Sequence, residues 1–294
     1  MLSILIPVYN HSVKKLVKEL HDQCARAKIQ FEILVFDDYS KEIYKKENQE
    51  IEHLLRVNYL QMSKNLGRSK IRNRLAKTAF FDNLLFLDSD SKVSSRKFIK
   101  NYIPYFNKKQ AVCGGRVYKN KKPKSINKVL HWNYGTKRES IQAKKRQKNA
   151  SAYFHTNNFL IDRETILAHP FDESVEGYGY EDLLFAHILG EHNIAIRHID
   201  NPIVHGKLET NEAFISKHEK AVSNLAVLYK KDRKFPARLC QTYGKLNDLH
   251  IIPLLSKYLN SNKDKYKRLL VNGNGSLYQF DKYRLALFVK EMKT

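Results

Sequence analysis

The sequence predicts an α/β fold in which helices flank a mostly parallel sheet, followed by a helical C-terminal extension. Short apolar runs that suit buried strands begin at residues 2, 31, 57 and 84, and stretches with helical apolar spacing lie between them. Acidic residues follow two of these runs directly, as Asp37-Asp38 and as Asp88-Ser89-Asp90. Such alternation of buried strands and amphipathic helices is typical of a parallel sheet that is covered on both faces.

Local patterns predict the individual elements. From residue 209 onward, apolar spacing predicts a mainly helical tail, and the apolar stretch 183–189 is expected to end as a helix at Gly190. Residues 119–150 hold eleven Lys or Arg against the single acid Glu139, which indicates either a mobile basic loop or a partly helical insertion. Helices are also predicted over residues 13–27, 71–79 and 98–106, and strands over residues 2–8, 31–36, 57–60, 84–87, 111–118, 194–199 and 203–205, the last two as edge strands.

Composition excludes several classes of protein. Hydrophobic residues make up 42% and aromatic residues 11% of the 294 residues, which excludes a disordered chain. No uncharged apolar run reaches the ~18 residues that a membrane-spanning helix needs. The first residues lack a basic flank and meet Pro7 early, so we expect a strand there and no signal peptide. The distant cysteines Cys24, Cys113 and Cys240 predict neither a disulfide framework nor a zinc knuckle, which fits a reducing cytoplasm.

The charge balance is strongly positive, with 53 Lys and Arg against 30 Asp and Glu and a formal net charge of +23. Two interpretations stay open, namely a solvated lysine-rich surface and a surface that binds an anionic partner such as nucleic acid or lipid. In the tail, apolar residues between 249 and 259 precede the basic run 263–268. This pattern fits either a core helix with a solvated end or an interfacial helix on an anionic membrane.

The two acidic clusters are the strongest candidates for a functional site. Because the carboxyl ends of parallel strands meet at one edge of the sheet, we expect Asp37-Asp38 and Asp88-Ser89-Asp90 to lie at the same rim, where such folds bind ligands. Their mutual repulsion would be offset by a divalent cation, and hard oxygen ligands suit Mg²⁺ or Mn²⁺ bridging to a diphosphate. Acidic residues at strand ends are also common turn formers, which is the structural alternative.

Motifs along the chain occur in the order and at the spacing of a known family. In the first half they are residues 3–10 (SILIPVYN), 36–40 (FDDYS), 65–68 (NLGR), 72–73 (RN) and 85–90 (LFLDSD). With them the sequence resembles the family 2 glycosyltransferases of the GT-A fold, over about residues 1–206. Residues 171–173 (FDE) and 177–182 (GYGYED) are similar to the acceptor-side Glu-Asp motif of that family and to the corresponding segment of galactosyl- and N-acetylgalactosaminyltransferases.

The resemblance implies a Rossmann-like sheet and a division of the chain. Residues 1–206 would form the GT-A catalytic domain, and residues 207–294 would form a mainly helical region outside it. Within the catalytic domain, residues 1–118 would bind the nucleotide sugar, residues 119–150 would form a basic mobile loop, and residues 151–206 would form the acceptor half.

The resemblance also implies roles for individual residues. Asp182 would act as the catalytic base, Glu181 would bind or orient the acceptor, and Asp37 would accept a hydrogen bond from uracil. The implied nucleotide-sugar-binding residues are Pro7, Tyr9, Asp37, Asp38, Arg72, Asp88 and Ser89; the implied ligands of Mn²⁺ or Mg²⁺ are Asp90, Asp88 and His205; and the implied acceptor-binding residues are Trp132, Tyr178, Gly179 and Tyr180.

Structural alternatives stay open for some of these residues. His205 fits an ordinary strand histidine as well as a metal ligand, and Trp132 fits an anchor for the basic segment as well as a platform for a sugar ring. The acids at 181 and 182 also suit the first turn of a helix, where they favour its dipole and cap its free N–H groups.

The sequence departs from the family pattern at two tyrosines. Tyr39 follows the double Asp where the family commonly has Gly, so its backbone must either avoid positive φ or accept strain. Tyr180 replaces the small residue that is frequent before the Glu-Asp pair, which would narrow the acceptor site.

Together these features predict a metal-dependent inverting glycosyltransferase. It would move a sugar from a nucleotide donor, UDP-linked, to a glycan or glycolipid acceptor in surface polysaccharide or lipopolysaccharide synthesis. We expect it in the cytoplasm, with peripheral contact to the inner membrane face as an open question and without a nucleic-acid partner. One alternative is a sugar nucleotidyltransferase, but the Gly-rich, Lys-bearing phosphate loop that such an enzyme needs is not found after the first strand. A second alternative is a basic nucleic-acid-binding protein, although the strand-end acids would repel the phosphates of a nucleic acid. A third is an inactive GT-A relative.

Overall fold

A computed structural model describes residues 1–174 and 179–293 of the chain. Most of the strands in these residues belong to one large mixed sheet. The strands are β1 (Leu2–Val8), β2 (Phe31–Asp37), β3 (Val57–Gln61), β4 (Asn83–Leu87), β5 (Ser91–Val93), β6 (Gln110–Cys113), β7 (Arg116–Val117), β8 (Asn158–Asp162), β9 (Ala195–His198) and β10 (Ile203–His205). The α-helices are α1 (Lys14–Arg26), α2 (Glu42–Gln49), α3 (Arg68–Thr78), α4 (Val129–Tyr134), α5 (Ala143–Arg146), α6 (Arg163–Ala168), α7 (Glu181–Glu191), α8 (Asn211–Lys231), α9 (Arg238–Asp248), α10 (Ile252–Val271) and α11 (Leu277–Glu291).

The sheet has seven strands in the order β3-β2-β1-β4-β8-β6-β9. Strand β1 pairs in parallel with both β2 and β4, and β2 pairs in parallel with β3. Strand β8 runs antiparallel to its neighbours β4 and β6, whereas β9 is parallel to β6. A smaller sheet has the order β5-β10-β7. The predicted α/β fold with a mostly parallel sheet and a helical C-terminal part is confirmed.

The chain divides into two compact units. The first comprises Met1–Val117, Ser140–Ser174 and Leu184–Lys207, and therefore contains both sheets. The second comprises Tyr118–Glu139 together with residues 179–183 and 208–293. Residues 119–139 of the segment interpreted as a mobile basic loop or a partly helical insertion thus group with the C-terminal helices. They include α4 and a π-helical turn, Gly135–Glu139.

Both faces of the large sheet are buried, as the continuous apolar runs predict. On one face Leu85 and Leu87 join a core that includes Leu20 of α1. On the other face Phe86 and its neighbour Phe159 stack at a centroid distance of 4.8 Å and join a core with α3. The second unit has its own core, formed by the aromatic and aliphatic residues Leu130, Phe214, Ile215, Tyr266, Leu270, Phe280 and Tyr283.

One predicted helix is absent. Residues 98–106 form turns and a short 3-10 helix, Ile103–Tyr105, although the apolar side chains of this segment are buried as expected. The Ile99 N–H donates to the side chain of Gln23 instead of a helical carbonyl, and the Tyr102 hydroxyl donates to Asn158 Oδ1 at 2.7 Å. Pro104, which lacks an N–H, prevents a longer helix.

Two further details differ from the sequence-based expectation. Strand β10 was predicted at a sheet edge, but it lies between β5 and β7. The predicted strand over residues 111–118 is divided into β6 and β7, because Gly115 has φ +85°, which is not an extended backbone conformation. At Gly114 a Cβ would lie 2.4 Å from atoms of Tyr102, Asn158 and Asn201, so a larger residue does not fit there. Within residues 1–174 and 179–293, no helix is both long enough and apolar enough to cross a membrane.

Candidate active site

The carboxyl ends of β1, β2 and β4 lie at one edge of the large sheet, as the parallel pairing requires. Pro7 is a half-buried residue within β1 and pairs with Phe36, and the exposed Tyr9 follows that strand. Asp37 is the last residue of β2, and Asp88 follows β4. The structure therefore brings the first set of predicted site residues to a common edge.

The first acidic pair is buried and already hydrogen-bonded. Asp37 accepts from the Ser40 N–H at 2.6 Å and from the Tyr59 hydroxyl at 2.8 Å. Asp38 accepts from the N–H groups of Leu66 and Gly67 at 2.6 Å and 3.0 Å. Burial raises the pKa of Asp38, although these two backbone N–H groups oppose the shift. The pair thus fixes the loop after β2 and ties it to the start of α3.

The loops after β1 and β2 are fastened to each other. The Asn10 N–H donates to Ser40 Oγ, and the Lys41 N–H donates to Asn10 Oδ1, both at 2.8 Å. Tyr39, between these contacts, has φ +69° and an exposed ring over which the Lys45 ammonium lies at 5.1 Å from the centroid. Of the two options left open by the sequence, Tyr39 accepts the strain of a left-handed backbone.

Arg72 of α3 pairs with the first acid of the second cluster. Its Nη2 donates to Asp88 Oδ1 at 2.8 Å, and its guanidinium lies 5.8 Å from the centroid of the Phe171 ring. The Arg72 side chain is almost completely buried, yet its Nε and Nη1 have no hydrogen-bond partner among the described residues. Donors that are buried without partners lower the stability of the fold. An oxygen-rich ligand that accepts from Nε and Nη1 would remove this cost.

The remaining residues of the second cluster lie in a turn beside β10. Asp88, Ser89 and Asp90 are half-buried, and the Ser91 N–H donates to the Asp88 carbonyl at 3.0 Å. Because β10 pairs antiparallel with β5, His205 stands opposite Ser91, and its Nδ1 lies 3.5 Å from Asp90 Oδ2. Burial lowers the pKa of His11, while the nearby Asp90 carboxylate raises it. Sequence reasoning did not select His11, although it follows the SILIPVYN motif directly.

Asp90 and His205 are suited to part of a metal site. The carboxylate oxygen suits Mg²⁺ or Mn²⁺, and the imidazole adds preference for the transition metal. Among the described residues no group of three or more His, Cys, Asp or Glu is arranged to hold a metal ion by itself. The donor set therefore fits an ion that takes its other ligands from substrate phosphates and water, as Mg²⁺ sites commonly do.

The predicted acceptor-side residues that the structure describes belong to the second compact unit. Glu181, the first residue of α7, is buried and accepts from the Gly179 N–H at 3.0 Å, and Asp182 follows it as a half-buried residue. The Tyr180 hydroxyl accepts from Arg284 Nη2 at 2.7 Å, and Tyr180 has φ +70°. Tyr178 lies outside the described residues.

Trp132, a predicted acceptor-binding residue, is hydrogen-bonded to the start of the basic segment. Its side chain is half-buried in α4, and its Nε1 donates to the Lys119 carbonyl at 2.8 Å. The N–H of the indole is therefore satisfied within the protein, as is usual for a Trp that packs against its own chain.

Comparison with solved structures identifies the fold. TarS from S. aureus (residues 1–349) has a TM-score of 0.50 at 16% identity, covering 99% of this chain and 90% of that one. The mannosyltransferase PcManGT from Pyrobaculum calidifontis has a TM-score of 0.60 at 15% identity, covering 99% and 85%. GalNAc-T7 has a TM-score of 0.52 at 15% identity, covering 71% and 43%. The fold is thus that of the GT-A glycosyltransferases.

The sequence comparison then assigns the family. Residues 3–166 match the family described as Glycosyl transferase family 2, whereas no curated protein sequence matches the chain. Because this match spans more than half of the chain, the protein belongs to glycosyl transferase family 2 and is a glycosyltransferase.

Proposed function

We propose that the protein transfers a sugar from a UDP-linked donor to a hydroxyl group of a glycan or glycolipid. The observation that carries this proposal is the Arg72–Asp88 pair, whose guanidinium keeps two buried donor nitrogens, Nε and Nη1, without a partner among the described residues. A planar guanidinium complements phosphate oxygens, so these donors suit the diphosphate of a nucleotide sugar. Structures of similar fold with UDP-GlcNAc, or with GDP-Man and Mn²⁺, support a donor of this class.

The nucleotide half of the site follows from the edge residues of the sheet. The exposed rings of Tyr9 and Tyr39 would pack against the nucleobase, with Pro7 beside them. Asp37 and Asp38 would form the floor of the base pocket, because their carboxylates hold its loops in place. Asp88 and Ser89 would contact the ribose and diphosphate, and Asp90 with His205 would hold Mn²⁺ or Mg²⁺. When bound, this ion would stabilise the negative charge that develops on the departing diphosphate.

Asp182 would be the catalytic base. Glu181 accepts from the Gly179 N–H and would position the acceptor segment, while Asp182, the next residue of α7 and half-buried, would take the proton as the resemblance to the family implies. In one displacement, the acceptor oxygen forms a bond to the anomeric carbon as its proton passes to Asp182. The bond to the diphosphate breaks with its electron pair leaving on the phosphate. Attack from the face opposite the leaving group inverts the anomeric centre, and a base within hydrogen-bond reach typically contributes 10²–10⁴-fold in rate.

An exposed apolar and basic surface supports peripheral contact with an anionic membrane on the cytoplasmic side, where a glycolipid acceptor for surface polysaccharide would be available. Leu254 is 76% exposed in α10, and Leu249, Tyr258 and Lys257 are exposed near it in the chain. Apolar side chains beside lysines are typical of an interfacial helix. We expect sedimentation with phosphatidylglycerol vesicles that Leu254→Glu abolishes and that the matched control Leu55→Glu, at a residue 82% exposed in the first unit, leaves unchanged. Equal binding by both variants would remove this surface from the proposal.

The melting temperature with UDP and Mn²⁺ tests the donor site. A ligand at 100 times its Kd adds about 2.7 kcal/mol, which corresponds to about 5 °C for a chain of this size. We expect this shift only with both ligands present, its loss in Asp90→Ala, and its retention in Asp22→Ala, which removes an exposed carboxylate from α1. A shift with another nucleoside diphosphate would change the donor. No shift with any nucleotide, together with salt-sensitive binding to DNA or RNA, would overturn the proposed function.

A further inference from the structure

Asn157 is a buried residue whose backbone is hydrogen-bonded to Asp88 of the Arg72–Asp88 pair. It is only 4% exposed, and neither its Oδ1 nor its Nδ2 has a hydrogen-bond partner among the described residues. The next residue shows the contrast. Asn158 is also buried, but its amide accepts from the Tyr102 hydroxyl and donates to the carbonyls of Gly115 and Asn201. The Asn158 amide therefore stabilises the fold, whereas the Asn157 amide forms no hydrogen bond with the described residues.

Strand pairing places Asn157 on the face of the sheet that contains the site. Leu87 pairs with Asn158, and the Asp88 N–H donates to the Asn157 carbonyl at 3.2 Å. Asn157 directly precedes β8 and Asp88 directly follows β4, and their backbone hydrogen bond extends the pairing of the two strands by one residue. Continuing the alternation of side chains by that residue puts Asn157 on the face of Phe159 and Asp88 on the face of Phe86. These two rings stack on each other.

Arg72 approaches the same face. Its guanidinium lies over the ring of Phe171, which packs edge-on against both Phe86 and Phe159. Asn157 thus stands beside Asp88 and on the same side of the sheet as Arg72. All of these residues belong to the first compact unit.

The chemistry of the unpartnered atoms differs within this group. The free N–H groups of Arg72 can only donate, so they suit phosphate oxygens. The Asn157 amide both donates and accepts, and its unmet acceptor cannot be satisfied by a phosphate oxygen. Hydroxyl and acetamido groups of a sugar offer a donor and an acceptor together, which matches the amide.

We propose that Asn157 binds the transferred sugar of the donor through a hydroxyl or acetamido group and thereby selects which sugar is used. This inference rests on the proposed function, because it requires a nucleotide sugar at the Arg72–Asp88 pair. A site built to hydrogen-bond a substrate group rejects analogues that lack it, since its buried polar atoms would then stay unpaired. Asn157 is accordingly a specificity-determining residue.

Binding of UDP and of UDP-sugars to the full chain in Mn²⁺ tests the proposal by calorimetry. The ligands are UDP, UDP-Glc, UDP-Gal, UDP-GlcNAc and UDP-GalNAc, and the variants are Asn157→Leu and the smaller Asn157→Ala. We expect both variants to bind UDP within about twofold of the wild type. The Kd for the preferred UDP-sugar should rise about 5- to 150-fold, which is the range for one or more unmade buried hydrogen bonds, so the preference among sugars shrinks.

Thermal melting without ligand separates a binding role from a structural one. Because Asn157→Leu removes unpaired polar atoms, its melting temperature should equal or exceed that of the wild type. Asn158→Leu, the matched control, should melt several degrees lower, since it breaks three hydrogen bonds.

Three results would overturn the proposal while leaving the proposed function intact: equal weakening of UDP and UDP-sugars, unchanged preference in both variants, or a melting temperature of Asn157→Leu as low as that of Asn158→Leu, which a bound structural water would cause. Failure of the wild type to bind any nucleotide would instead overturn the proposed function, and this inference with it.

Discussion

Gly206 provides a test of the candidate metal site that leaves every proposed ligand in place. A Cβ at this position would lie 2.4 Å from the backbone oxygen of Asp90. Non-bonded heavy atoms need about 3.5 Å, so Gly206→Ala forces the two segments apart by roughly 1 Å. Since His205 precedes Gly206, this movement of the backbone also displaces His205 relative to Asp90. In the wild type, His205 Nδ1 lies 3.5 Å from Asp90 Oδ2.

We expect two effects of Gly206→Ala. Overpacking should lower the free energy of unfolding by about 1–3 kcal/mol, with about 2 °C or more of melting temperature lost per kcal/mol. The additional stabilisation by UDP with Mn²⁺ should fall or vanish, and sugar transfer should slow by about 10²-fold, as a 1 Å misplacement typically causes. Melting curves with and without ligands and a transfer assay measure these effects.

Gly190→Ala is the matched control, because it makes the same substitution where no atom lies within 4 Å of the new Cβ. Gly190 lies in α7, and Ala in a helix is favoured over Gly by about 0.5–1 kcal/mol, so this variant should be at least as stable as the wild type. The reasoning is refuted if Gly206→Ala melts like Gly190→Ala and keeps the full shift with UDP and Mn²⁺.

Three further predictions concern single side chains. Burial lowers the pKa of His198 to about 4, and the Arg146 guanidinium adds to the shift. Because the unfolded state then binds the proton more tightly than the folded state, the free energy of unfolding should fall by on the order of 3 kcal/mol as the pH drops from 6.5 to 4. Urea titrations at several pH values measure this, and a flat profile would contradict the prediction. Asp182→Asn should slow transfer by at least about 100-fold while the melting shift with UDP and Mn²⁺ is kept; loss of both would place Asp182 in donor binding. Asp37→Asn should destabilise the protein by about 1–3 kcal/mol in urea unfolding, because an amide has a single acceptor oxygen and cannot accept from both the Ser40 N–H and the Tyr59 hydroxyl. Unchanged stability would show that one of these bonds is dispensable.

Much of the framework was predictable because it depends on local pattern. The apolar runs that became β1, β2 and β4 are continuous, and α1 and α3 show clear helical spacing. Helix α2 was missed because its one buried side chain, Asn48, is polar. Asn48 accepts from the Val13 N–H and donates to the His11 carbonyl, which no hydrophobic period reveals.

The candidate site was predictable only in part. Asp37, Asp38, Asp88 and Asp90 stood out because acids directly after apolar strands reach one edge of a parallel sheet. That Asp37 and Asp38 are engaged in loop hydrogen bonds did not follow from their positions, because three of their four donors, Tyr59, Leu66 and Gly67, lie outside the motif of residues 36–40.

The sequence by itself determined the α/β class, the strand-end acids and the family, because periodicity and short motifs are properties of neighbouring residues. Only the tertiary structure decided that β10 enters between β5 and β7 and sets His205 beside Asp90. It also decided that the Asn158 side chain is hydrogen-bonded within the fold, whereas the Asn157 side chain has no partner among residues 1–174 and 179–293. These outcomes depend on pairing between segments that are far apart in the chain. Asn157 and Asn158 are adjacent and identical in type, and their environments differ because successive side chains point to opposite faces of a sheet.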